Sequence, residues 1–361
     1  MTPPSPWWNK NHHADRRPFL LARNRIKAAI RCWFDEHGFT EVEPGSLQAS
    51  PGNETHLQAF KTSLISTDNN RHEMYLHTSP EYSCKKLLAA GETKIFSFSN
   101  VFRNAEQGPL HAPEFTMLEW YRAGNFGDEQ YPNLHKDCDA LIAIATQAAE
   151  NATWRWKNRT CNAGLPCLHK SVPEAAADLF QIDLATTFSS DGQPNRNALA
   201  IAAKRAEIHA SDDETWGDIF SKLLVELEAR YGELSGVMTS EGLERVMLLD
   251  QYPACMSPLA RRHQHNPGLA KRFELFIGGI ELANGFAESN DPGEVRAGLT
   301  EQMNEKERIY GERYPLDQDF LAALSKMPPA SAGCAMGFDR LVMLATGATR
   351  IDQVLWTPLS Q

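Results

Sequence analysis

The stretches FRNAEQGPLHAPEFTMLEWY, RFELFIGGIELANGFAE and GCAMGFDRL hold the side-chain types of a site that handles charge of both signs. In a strand, side chains alternate between faces, so Phe115, Met117, Glu119 and Tyr121 share one face and Thr116, Leu118 and Trp120 the other. That face offers a ring, a carboxylate and a phenol, and Arg103 on the partner strand adds a permanent cation across the hairpin. It suits a ligand that is flat in one part, cationic in another and anionic in a third; the plain alternative is an exposed strand with an ordinary ion pair. Glu274, Glu281 and Glu288 recur at intervals of seven in apolar, Gly-rich sequence. Buried carboxylates need cations. Magnesium joined to nucleotide phosphates would satisfy the first two, and a ligand ammonium the third. Placement of all three on the surface is the alternative, which the apolar neighbours in FELF and GIELANG oppose. In GCAMGFDRL, Gly333 and Gly337 let backbone approach a ligand closely and Arg340 enters the first turns of a helix, although a Gly-x-x-x-Gly beside Arg marks many helix starts.

The elements that must position these residues follow from periodicity and punctuation. Residues 18–39 read as a long amphipathic helix, with Pro18 in its first turn and Gly38 as its stop. EMYLHTSPEYSCKKLLAAG reads as a short strand, a turn at Ser79 and Pro80, and a helix ending at Gly91. KIFSFSNVFRN and EFTMLEWYRAG alternate and are aromatic-rich, the two arms of an antiparallel hairpin joined by AEQGPLHAP. From about 125 to 265 the pattern is helical and loopy, with amphipathic helices in LHKDCDALIAIATQAAE and WGDIFSKLLVELEARYG, and is read as an insertion. RFELFIGGIELANGF returns to strand with a hairpin at Gly278 and Gly279, and GCAMGFDRLVMLATGA couples a strand to a final helix.

Composition bounds the rest. With 361 residues, 42% hydrophobic and 23% charged, the chain has enough apolar sequence for a large core. There is no long apolar run and no leader pattern at the start, and the expectation is a cytoplasmic protein without a membrane anchor. Seven scattered cysteines fit free thiols in a reducing compartment. CNAGLPCLH (Cys161, Cys167, His169) lacks a second pair at zinc-like spacing and reads as a loop. The formal charge of −10 is a poor match to a surface that must neutralise many phosphates.

Taken together, these motifs resemble the catalytic domain of class II aminoacyl-tRNA synthetases, in particular the lysyl branch and its free-standing paralogues that attach lysine or β-lysine to a lysine of elongation factor P. FRNAEQGPLHAPEFTMLEWY is similar to motif 2, GCAMGFDRLVMLATG to motif 3, and RFELFIGGIELANGFAE to the segment between them. The resemblance runs from about residue 18 to the C-terminus and implies an α+β fold, an antiparallel mixed sheet flanked by helices, with residues 1–17 as an N-terminal extension. It implies ATP and Mg2+ as cofactors and a homodimer. Arg103 and Arg340 would be the catalytic cations, Arg103 clamping carboxylate and α-phosphate. Phe115 would stack on adenine against Arg340, and Asn104, Glu106, His111, Glu281, Leu282 and Gly337 would complete the ATP site. Glu274 and Glu281 would hold magnesium. Ser79, Pro80, Glu81, Glu119, Tyr121, Asn284 and Glu288 would form the amino-acid pocket, with Glu288 on the side-chain ammonium. The chain departs from the family pattern at Ala105, which displaces the expected Glu to Glu106, at Ala112, at Pro109 and Leu110 where Arg is frequent, and at Pro44, one position early.

Lysyl-tRNA synthetases carry an N-terminal OB-fold, and the helix expected near residue 18 leaves no room for one. The expectation is therefore a protein-modifying ligase that activates lysine or β-lysine and transfers it to elongation factor P, with tRNA disfavoured as acceptor. A truncated enzyme charging tRNA and a degenerate amino-acid sensor are the alternatives, the second opposed by the retention of Arg103, Phe115, Glu274, Glu281 and Arg340.

Overall fold

The computed structural model describes residues 6–125, 127 and 129–359. Its centre is an eight-stranded sheet of β1 (Thr40–Glu41), β2 (Lys94–Phe102), β3 (Glu114–Arg122), β4 (Leu168–Ser171), β5 (Met247–Asp250), β6 (Arg272–Ile277), β7 (Ile280–Ala287) and β8 (Ala332–Gly337). The spatial order is β1-β2-β3-β8-β7-β6-β5-β4. The edge pairs β1–β2 and β5–β4 are parallel and every pair between them is antiparallel, the α+β arrangement expected. The hairpin read from alternation is present in register, with Ser97 opposite Glu119 and Val101 opposite Phe115.

The helices are α1 (Lys10–Glu36), α2 (Glu81–Ala89), α3 (Gln130–Ala149), α4 (Val172–Phe180), α5 (Arg196–Arg205), α6 (Trp216–Ala229), α7 (Pro292–Tyr310), α8 (Gln318–Leu324) and α9 (Phe338–Thr346). Ile30 and Phe34 of α1, Leu134 and Leu141 of α3 and Leu341 and Leu344 of α9 pack with Leu118 and Trp120 of β3 in one core. On the other sheet face Ile95 and Tyr121 join α2, α7 and α8 in a second. The alternation of β3 thus sends Leu118 and Trp120 to one layer and Glu119 and Tyr121 toward the other.

Two readings are corrected here. The first helix begins at Lys10, capped by Asn9, so Pro18 is interior rather than in the first turn. The ring lies on the solvent side, where water can take the carbonyl that a missing N–H leaves unpaired. The span 125–265 is also less uniformly helical than its pattern: α3 packs on the central sheet, and β4 and β5 from the same span complete that sheet. MLLD of β5 is buried and only four residues long, too short for periodicity to separate strand from helix. Helices α4, α5 and α6 form their own core, which Met247 and Leu249 of β5 and Phe276 of β6 close from the sheet side.

Candidate active site

A cavity of about 390 Å³ opens where β3, β8 and β7 meet α2 and the loop between β2 and β3. Seven glutamates (Glu54, Glu81, Glu106, Glu119, Glu274, Glu281, Glu288) line it against three arginines (Arg103, Arg272, Arg340), so the wall calls for cations beyond those it carries. Along β3, Phe115 and Glu119 are four residues apart, roughly 13 Å at strand rise, which separates an aromatic end from a carboxylate end.

At the aromatic end the Arg103 guanidinium lies 5.2 Å from the Phe115 ring centroid. Arg340 is fixed from three sides: it donates to the Glu281 carbonyl at 2.8 Å, to the Leu110 carbonyl at 3.4 Å and to Nε2 of His111 at 2.7 Å. Burial and the Arg340 charge hold the His111 pKa below its ordinary value, which favours the neutral ring; since Arg340 can only donate, the tautomer with its proton on Nδ1 is the one that fits. Asp339 anchors this turn of α9 by pairing with Arg23 of α1 and accepting the Thr116 N–H at 2.8 Å. The loop itself turns at Ala105, which sits in the left-handed region at φ 59°; Glu106 then reaches the cavity wall and Ala105 does not.

At the carboxylate end Ser79 donates to Glu119 at 2.6 Å and Tyr121 to its other oxygen at 2.5 Å. Burial and the charge of Glu81 still push the Glu119 carboxyl up to about 7. Lys85 Nζ sits 2.6 Å from Glu81 Oε1 and 2.6 Å from Glu288 Oε2, with Lys85 and Glu288 both 1% exposed. Oε1 of Glu288 has no donor among the described residues. Burial pushes that carboxyl up to about 8, against the pull of Lys85. Between the two ends, Glu274 accepts from Arg272 at 2.7 Å and from Tyr252 at 2.6 Å, and burial with the charge of Glu281 raises it to about 7. The Glu281 carboxylate makes no hydrogen bond or ion pair among the described residues.

The family model for class II tRNA synthetases (D, K and N) matches residues 9–361. The chain belongs to this family. Among its relatives it is 33% identical to the elongation factor P--(R)-beta-lysine ligase of Edwardsiella ictaluri over 93% of both chains. Its identity to the protein of the same name from Proteus mirabilis is 32% over 94% of both chains. It is also 32% identical to the lysine--tRNA ligase of Pectobacterium carotovorum, over 95% of this chain and 64% of that one. As a class II synthetase-like enzyme the protein is a ligase.

Most of the residues singled out in the sequence converge on this synthetase-family cavity: Ser79, Glu81, Arg103, Glu106, His111, Phe115, Glu119, Tyr121, Glu274, Glu281, Leu282, Asn284, Glu288, Gly337 and Arg340. Two do not. Asn104 is exposed, and its side chain accepts the Ala105 N–H at 2.9 Å. Pro80 is the first cap of α2 and directs Glu81 inward without lining the wall. Missed were Glu54, Lys85, Arg272, Asp339 and Ile351. Lys85 follows Glu81 by one helical turn and Arg272 stands two before Glu274 on one strand face, spacings that signal ion pairs once the elements are known. Glu54 and Ile351 arrive from distant loops and leave no local signal. Among the described residues no three His, Cys, Asp or Glu side chains converge as a metal cage, those of CNAGLPCLH included, and no helix is long and apolar enough to cross a membrane.

Proposed function

We propose that the protein activates lysine or β-lysine with ATP as an aminoacyl-adenylate and transfers it to a lysine of elongation factor P. The observation that carries this reading is the polarity of one cavity: two arginines and an aromatic ring at one end, three glutamates around a single lysine at the other. Arg103 is placed for the carboxylate and α-phosphate, whose charge grows in the transition state, and Phe115 and Arg340 for the two faces of adenine. The full-length match to proteins named for elongation factor P supports the acceptor.

Mg2+ fits the donor set between the two ends. Glu274 and Glu281 supply two carboxylates, and each Glu274 oxygen, though hydrogen-bonded once, keeps a lone pair. The ion takes few protein ligands and completes its shell with phosphate and water. When bound it would neutralise phosphate charge; Arg103 and Arg340 orient the reacting groups, and no side-chain nucleophile is required.

A second cavity of about 630 Å³ shares Ser79, Glu81, Arg272, Asn284 and Phe286 with the first and carries Asp218, Glu301 and Glu305 on its wall. An acidic passage of this kind admits a cationic lysine side chain more readily than the phosphates of tRNA. The same proposal includes a cytoplasmic homodimer built around α1 and the strand after it, for which light scattering above the 40.4 kDa monomer is the check.

The tRNA-charging reading is favoured by one observation, the equal identity to a lysine--tRNA ligase. Incubation with labelled lysine and ATP against purified elongation factor P and total tRNA separates the two. Label on the factor supports the proposal; RNase-sensitive label with an unmodified factor replaces it with the other.

A further inference from the structure

Lys85 is a buried cation inside a pocket whose proposed ligand is itself cationic. On the proposed function, that position calls for a reason. Removing a lysine from water is costly unless its charge is matched, and here Glu81 on α2 and Glu288 just beyond β7 both meet its Nζ at 2.6 Å. Phe286 and Phe320 place rings 4.8 Å and 5.9 Å from the same ammonium, and Glu119 and Tyr121 of β3 face the cluster from the sheet. Burial lowers the lysine pKa, but the two carboxylates more than offset it and leave the group charged.

The contacts are asymmetric. Oε2 of Glu288 is ion-paired with Lys85, while Oε1 meets neither a cation nor a donor among the described residues and lies 2.8 Å from where a Cβ on Gly333 would stand, at the cavity wall. Glu119 is already oriented by Ser79 and Tyr121. We infer that Lys85 is a positioning residue for the donor substrate. Held between Glu81 and Glu288, it orients the free oxygen of Glu288 toward the cavity wall and leaves the three-glutamate cluster, once all three carboxyls are ionised, two positive charges short of neutrality, which selects a donor carrying two ammonium groups. A donor with one ammonium leaves a buried carboxylate unpaired, and a donor with none leaves two.

The test is ATP–pyrophosphate exchange with lysine titrated from pH 6 to 9, for the unaltered protein and for Lys85→Met, which keeps length and removes charge. The KM for lysine at pH 7 should rise about tenfold or more, and the pH at which KM levels off should move up by about one unit. Meanwhile kcat and the KM for ATP should stay within about threefold. A purely structural Lys85 would lower the melting temperature without moving that pH limb, so a folded Lys85→Met with an unmoved limb overturns the inference. Lys85→Gln, which removes the charge but can still donate to both carboxylates, keeps the test alive if Lys85→Met does not fold. Its pH limb for lysine should move up in the same direction, and retention of the original limb overturns the inference. Absence of lysine-stimulated exchange in the unaltered protein overturns the proposed function and the inference with it. Intact exchange that the variants do not alter in these ways overturns the role of Lys85 alone.

Discussion

Arg340, in the first turn of α9, donates to Nε2 of His111 on the loop between β2 and β3 at 2.7 Å. The bond exists only while that nitrogen carries no proton, and the depressed pKa of His111 secures this through the neutral range. His111→Ala should leave Arg340 with its two carbonyl partners and a looser guanidinium. The KM for ATP is expected to rise roughly tenfold, the scale of one hydrogen bond to a charged group, with the KM for lysine little changed. Initial-rate kinetics with each substrate varied in turn measure the split; equal effects on both would place His111 elsewhere in the cycle.

Arg103 should matter more. Its guanidinium lies against Phe115, and its Nε is buried without an acceptor among the described residues. Arg103→Ala is expected to slow pyrophosphate exchange by at least about a hundredfold, as for loss of one charge-stabilising donor, and to lower kcat more than it raises either KM. Normal exchange in that variant would remove Arg103 from the chemistry.

Carboxyls raised to about 7 at Glu119 and about 8 at Glu288 make two opposite pH dependences. A ligand ammonium binds their charged forms, so lysine affinity should improve as pH rises from 6 to 8 and level off above, with protons released on binding in calorimetry. Stability of the empty protein goes the other way. Folded pKa values above the unfolded 4.3 mean that the native state holds more protons through this range, so stability falls as pH rises, and the contribution of these two groups is gone only above their folded values. Between pH 6.5 and 8.5 the urea midpoint should drop by the equivalent of roughly 3 kcal/mol, and saturating lysine should restore most of it.

What the sequence made legible was the part of the site that lies on one regular element. Strand alternation alone placed Phe115, Glu119 and Tyr121 together, and the register of β2 on β3 brings Arg103 beside them. The resemblance to the family supplied Ser79, Glu81 and Asn284, which no single period connects, whereas Glu288 stood out by recurring seven residues after Glu281 in apolar sequence. Lys85, Arg272 and Asp339 stayed hidden because each acts through a partner on another element, or on a strand whose facing could not be assigned in advance. Arg23 reaches Asp339 across 316 positions of sequence. The strands β4 and β5 at the far side of the sheet were illegible for a different reason: four residues are too few to carry a period, and their identity as strands is decided by pairing, β5 with both β4 and β6.

Gly333 tests the shape of the carboxylate end. A Cβ there would stand 2.2 Å from Tyr121 Cε1 and 2.8 Å from the free oxygen of Glu288. Tyr121 is buried and tied to Glu119, so it has little freedom to yield. Gly333→Ala is expected to cost about 1 to 3 kcal/mol of stability by overpacking. It should also weaken lysine at least tenfold while nucleotide binding at the far end is kept. Calorimetric titration of each ligand into the folded variant checks this, and unchanged lysine binding would mean that the amino-acid pocket lies away from β8.

The acceptor path gives the last prediction. Glu301 and Glu305 on α7 line the second cavity, outside the first cavity where the adenylate is proposed to form, and Glu305 is held by Arg308 in the next turn. If a cationic loop of elongation factor P enters there, Glu301→Gln/Glu305→Gln should leave lysine-dependent pyrophosphate exchange intact and raise the KM for the factor, by about threefold to tenfold for two partly solvated charges. The effect should shrink as salt rises, because exposed charges are screened over roughly 8 Å at physiological ionic strength. Loss of acidic charge should improve an encounter with tRNA instead, so the sign of the change separates the two acceptors. A variant that labels tRNA better and the factor no worse would place the acceptor on the tRNA side and leave the second cavity without a protein ligand.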